Sequence, residues 1–137
     1  MAFKDTLNTG DVVYGTCFND ETPEGLFFWH VGIVYDDGKN KLVFHNNPVI
    51  ANKFGGNVCV EPYDVFMKGR HRIKVVRTNA TKERILYITK KVKKEHYNEF
   101  LFNCEDYVLE IVEGHRRSDI RDAFKIVGLG IIILTFL

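Results

Sequence analysis

Proline and cysteine are scarce in this chain, with 3 of each in 137 residues, and charge of either sign is nearly balanced at a formal +1. Three irregularly spaced cysteines exclude a disulfide framework, and with no N-terminal signal peptide they point to a reducing, cytoplasmic setting. Neither CxxC nor HExxH occurs, so no metal and no cofactor is expected. The small net charge argues against nucleic acid as the ligand. Two local basic runs, at 70–74 and 90–94, read either as solvated faces or as attraction for anionic lipid headgroups. No apolar run reaches the ~20 residues of a membrane-spanning helix. The nearly apolar stretch from Ile126 to Leu137 is 12 residues long. As a helix it would rise only about 18 Å.

What is present centres on Cys104. Asn103 precedes it, Glu105 and Asp106 follow, and Tyr107 to Val112 continue as an apolar helical pattern. Asn103 suits an N-cap, which would set the Cys104 sulfur against unpaired NH groups and the positive end of the helix dipole. Cys104 is therefore a candidate nucleophile, and its alternative is a small buried hydrophobe. The acidic pair beside it would oppose a thiolate, so a cationic or hydrogen-bonding partner is required. Cys17 and Cys59 open no recognisable helix and read as structural.

His30 and His45 lie in two runs rich in β-branched and aromatic residues, separated by Asp36-Asp37-Gly38-Lys39-Asn40, a strong hairpin signal. A two-residue turn would pair His30 directly with His45. A four-residue loop would leave them diagonal on the same face, and a three- or five-residue loop would put them on opposite faces unless a bulge restored the register. On one face, one imidazole would take the thiol proton while the other orients it or stabilises its cation. His71, His96 and His115 sit in polar surroundings and are expected to face solvent.

In order along the chain, Thr9-Gly10-Asp11-Val12-Val13, Trp29-His30-Val31-Gly32-Ile33-Val34-Tyr35, Val43-Phe44-His45-Asn46-Asn47-Pro48 and Asn103-Cys104-Glu105 resemble the lecithin:retinol acyltransferase-like family. These H-box/NC proteins include the H-Ras-like suppressor phospholipid acyltransferases. Gly114 to Asp122 followed by an apolar tail is similar to the segment that joins the suppressor branch to its membrane anchor. The resemblance implies an α+β fold that is a circularly permuted NlpC/papain-like unit, with an antiparallel sheet packed against helices and an apolar C-terminal helix. It also implies His30 as general base, His45 as second imidazole and Cys104 as acyl-accepting nucleophile, with Asn103 auxiliary. Asp106 departs from the pattern, standing where the family commonly has histidine.

Elements follow from periodicity: strands over Asp11–Thr16, Val58–Tyr63 and His71–Thr78, a helical turn over Tyr63–Lys68, and a helix capped by Asn79 or Thr81 and running to about Lys94. A last helix begins near Ser118. Residues 48–58, with Gly55-Gly56, are expected to form a mobile loop and candidate substrate gate. One catalytic domain over 1–117 and an apolar helix over 118–137 are expected, with membrane contact through Ile126 to Leu137. The expected activity is thiol-dependent acyl transfer or phospholipase A action on glycerophospholipids through a cysteinyl thioester, in a cytoplasmic, membrane-associated protein. The alternatives are a non-enzymatic H-box/NC membrane or host-interaction module and, third, a permuted cysteine peptidase. A zinc site built from His30, His45 and Cys104 would also satisfy zinc's ligand preferences, with one position left open.

Overall fold

Short runs of β-branched and aromatic residues form five strands in the computed structural model, which describes residues 2–16, 29–98 and 100–119. The strands are β1 (Val12–Thr16), β2 (Trp29–Asp36), β3 (Lys41–Asn46), β4 (Val58–Pro62) and β5 (Arg72–Val76). The helices are the single turn α1 (Tyr63–Phe66), then α2 (Lys82–Lys91) and α3 (Cys104–Glu113). This is an α+β architecture: one antiparallel sheet in the order β4-β3-β2-β1-β5, with helices on its faces.

Asp36 pairs with Lys41, which leaves Asp37 to Asn40 as a four-residue loop. Asp37 closes it, its carboxylate accepting from the backbone NH groups of Lys39 and Asn40. Gly38 supplies a left-handed φ of 94°. Of the registers open from sequence, this one pairs His45 with Gly32 and leaves His30 one diagonal step away on the same face.

Alternation gives the sheet two apolar faces. Val12, Tyr14, Val31, Ile33, Phe44 and Val58 pack against Ile85 and Ile88 of α2, against Val92 just beyond it, and against Tyr107, Val108 and Ile111 of α3. Each isoleucine so buried contributes roughly 1.5–3 kcal/mol. The opposite face, Val13, Val34 and Val43, is covered by Leu7, Tyr63 and Phe66. Thr81 caps α2, accepting from Arg84 N, and Gly114 ends α3 in the left-handed conformation.

The 48–58 segment is held rather than loose. Asn52 donates to the carbonyls of Val58 and Lys93, and its side-chain oxygen accepts from the NH groups of Phe54 and Gly56. Gly56 sits so close to the backbone that an added Cβ would lie 2.3 Å from the Lys93 carbonyl oxygen. The gate expected there is thus a tied turn, because one asparagine satisfies four backbone groups. The helix expected beyond Ser118, the apolar stretch 126–137 and Cys17 lie outside the described residues. Among the described residues no helix is long and apolar enough to cross a membrane.

Candidate functional site

Two rigid strands bring the imidazoles together. Nε2 of His30 lies 2.8 Å from Nδ1 of His45, with the rings edge to face and both packed on Phe66. Both side chains are buried. Gly32, between them on the same face, leaves the space that Val43 and Phe66 fill. Burial pushes the His45 imidazole down to about 4, and the Arg70 guanidinium adds to the effect. His30 is held well below its ordinary value by burial first, then by the charges of His45 and Arg70. At neutral pH the pair is therefore uncharged, one ring donating and the other accepting.

Cys104 opens α3 as expected, and Asn103 is its N-cap. The Asn103 side-chain oxygen accepts from the NH groups of Glu105 and Asp106, each at 3.0 Å, and the Asp106 carboxylate accepts from Asn103 NH at 2.9 Å. Asn103 also donates to Ser118 Oγ at 2.7 Å. Asn46 of β3 ties this corner to the sheet by donating to the Phe102 carbonyl at 2.9 Å. The buried Glu105 carboxylate is met by Tyr14 OH at 3.2 Å, Trp29 Nε1 at 3.4 Å and Asp119 NH at 2.5 Å. These hydrogen bonds help hold the acidic pair in the interior, and the Arg117 guanidinium also interacts with Glu105.

The expected meeting of Cys104 with the two histidines is absent from these contacts. Cys104 packs in the layer of Val31, Ile33 and Tyr107, and its sulfur lies 3.9 Å from the Trp29 carbonyl oxygen. His30 and His45 alternate with Val31 and Phe44 along their strands and project to the Phe66 face. The sheet separates sulfur from rings. The physical reason is parity: with Val31 and Ile33 turned toward α3, His30 must point the other way. Two first-turn NH groups of α3, those of Glu105 and Asp106, are also already engaged by Asn103.

Among the described residues, the Cys59 sulfur meets the His45 imidazole, its partner across the β3–β4 ladder. Its Sγ lies 3.3 Å from His45 Nε2, and Glu61, two residues along the same face, places Oε2 3.4 Å from that nitrogen. Burial, then the Glu61 charge, pushes the Cys59 thiol up to about 12. Sequence reasoning missed this residue. Strand alternation in Val58-Cys59-Val60-Glu61 sets Cys59 and Glu61 on one face, but their pairing with His45 depends on the 11-residue connection between Asn46 and Val58. His71, His96 and His115 are exposed.

Among the described residues, an open cleft of 740 Å³ lies between Arg77 to Thr81 and the end of α3, away from both groups. A second, of 250 Å³, lies beside Cys59 and is bounded by Phe54, Val60 and Lys93. Comparison with known proteins finds no matching family model, no similar curated protein and no similar solved structure.

Proposed function

We propose that this chain is a membrane-surface module of the H-box/NC type, in which His30, His45, Asn103 and Cys104 serve the scaffold. What carries the reading is one basic and apolar edge. The 47–57 and 93–101 loops are joined by hydrogen bonds from Asn57 NH to the Glu95 carbonyl, from Tyr97 NH to the Asn57 side chain and from Asn52 to the Lys93 carbonyl. They expose Val49 at 87%, Leu101 at 70% and Phe100 at 67%, together with Ile50 and Phe54. The ammonium groups of Lys53 and Lys93 lie 5.2 and 4.4 Å from the Phe54 ring. Apolar tips beside lysines suit the boundary of a bilayer that carries anionic headgroups. The apolar stretch from Ile126 to Leu137 would add to that contact. The finer fold assignment belongs to the same proposal: His30 and His45 precede the helix that Cys104 opens, the order required of a circularly permuted NlpC/papain-like unit.

Flotation of the full chain with vesicles of phosphatidylcholine, with and without phosphatidylserine, tests this. Binding should require phosphatidylserine and weaken with salt. Lys53→Ala and Lys93→Ala should each lower partitioning about fivefold, from ~1 kcal/mol per lysine. Equal binding to both vesicle types, or indifference to both substitutions, would overturn it.

One contact favours a second reading, thiol-dependent acyl transfer. Cys59, His45 and His30 stand in the order of nucleophile, base and orienting group. In that reading the thiol gives its proton to His45 as sulfur attacks a glycerophospholipid ester, and the lysophospholipid leaves with that proton. Water or an amine then resolves the thioester. Incubation with phosphatidylcholine followed by peptide mass mapping tests it: an acyl group on Cys59 supports this reading, one on Cys104 returns the nucleophile expected from sequence, and neither adduct nor turnover counts against both.

A further inference from the structure

We propose that His45 Nε2, Cys59 Sγ and a Glu61 carboxylate oxygen form a binding site for a zinc-like divalent cation, with His30 orienting the His45 ring and a fourth position left to water. The proposal is independent of membrane binding. It rests on donor type, spacing and backbone support.

One nitrogen, one sulfur and one carboxylate oxygen are a donor set that zinc accepts. The three atoms all lie within 4.8 Å of one another. Tetrahedral coordination with Zn–S near 2.3 Å and Zn–N and Zn–O near 2.0–2.1 Å would separate nitrogen from sulfur by about 3.5 Å and nitrogen from oxygen by about 3.3 Å. The observed separations are 3.3 and 3.4 Å. The ladder thus sets His45 Nε2 near ligand spacing from both other donors, since His45 and Cys59 are direct partners and Glu61 follows at the next position on that face.

His30 supplies the outer support. A metal-bound histidine ordinarily donates its other ring NH to a fixed acceptor, which sets both tautomer and ring orientation. With Nδ1–H of His45 directed at His30 Nε2, 2.8 Å away, the His45 Nε2 lone pair faces Cys59 and Glu61. On binding, the S–H bond of Cys59 breaks, its electron pair forms the metal–sulfur bond, and the proton leaves to solvent. Cys59 and Glu61 are partly exposed, so cation and water have access. The charged and titratable groups around the site are Glu61 on β4, His30 on β2, Arg70 after α1, Tyr107 on α3 and Lys93 beyond α2.

Titration of the full, reduced, metal-free chain with cobalt(II) is the test, followed by competition with zinc. The expected result is one equivalent bound with a thiolate-to-cobalt charge-transfer band and tetrahedral ligand-field absorption, both removed by zinc. Cys59→Ser should abolish the charge-transfer band, whereas Cys104→Ser should leave it intact. Glu61→Gln should weaken binding and keep the band. His30→Gln should keep the band and weaken binding ten- to a hundredfold, as expected of a positioning residue. Absence of the band from folded wild-type protein, or its persistence in Cys59→Ser, overturns the proposal and leaves a hydrogen-bonded cluster.

Discussion

His30 and His45 share a hydrogen bond of 2.8 Å inside the protein, and their surroundings favour the uncharged state of both rings. This couples folding to pH. The unfolded His45 has an ordinary value near ~6.5, so between there and about 4 the unfolded chain binds more protons than the folded one. Stability must therefore rise with pH across that window, being fully present above it and lost as pH falls through it. His45 alone accounts for about 3 kcal/mol, and His30 acts with the same sign. Urea unfolding in the presence of chelator should show a midpoint well below its neutral value at pH 4.5, and His45→Asn should flatten the difference. A wild-type midpoint that does not move between pH 7.5 and 4.5 would contradict the neutral pair.

Asn103→Ala removes the acceptor for two first-turn NH groups and a donor to Ser118, all in the interior. A lost cap costs about 1 kcal/mol, and the buried groups left unpaired add to it, so a loss of about 2–3 kcal/mol is expected. Asn103→Ser keeps a capping oxygen and should cost less. Chemical denaturation of the two variants beside wild type measures both. Equal stability of Asn103→Ala and wild type would remove the cap from any account of α3.

Local structure was legible because each signal acts over a few residues. Asn103 marked the start of α3, Thr81 was one of two expected caps of α2, and Asp36 to Asn40 announced the hairpin. Within that hairpin, the shared face of His30 and His45 followed from strand period once the loop length was fixed. The face itself did not. Whether α3 lies over Val31 or over His30 depends on where two large apolar sets find cover, a tertiary choice that puts Cys104 across the sheet from the rings. Cys59 was overlooked for a related reason: its partner is chosen by β3–β4 pairing across a long connection held by Asn52.

Gly32 shows how closely the histidine face is packed. A Cβ there would fall 2.3 Å from Val43 Cγ1 and 3.1 Å from Phe66 Cε2, within the layer that covers both rings. Overpacking of this kind costs roughly 1–3 kcal/mol. Gly32→Ala should lower the melting temperature and loosen the imidazole pair, visible as altered ring-proton shifts of His30 and His45 by NMR. Gly38→Ala is the contrast, since nothing lies within 4 Å of its Cβ position and its cost arises from φ alone. If Gly32→Ala melts with wild type, the close packing of Val43 and Phe66 over this position is wrong.

The thiols provide the sharpest division between scaffold and catalyst. Cys59, pushed up to about 12, holds far less thiolate at neutral pH than an ordinary cysteine near ~8.5, and its alkylation should be slower by roughly three orders of magnitude. Cys104 is only 2% exposed, so reagent access limits it. Iodoacetamide labelling of the native chain at pH 7.4, mapped by peptide mass spectrometry, should leave both sites largely unmodified, and unfolding in urea should release both. Cys59 labelling should accelerate steeply as pH is raised above 9, whereas Cys104 labelling should follow unfolding. Rapid modification of Cys104 in the folded chain below pH 7 would establish a stabilised thiolate at the mouth of α3, and acyl transfer would then displace the scaffold reading.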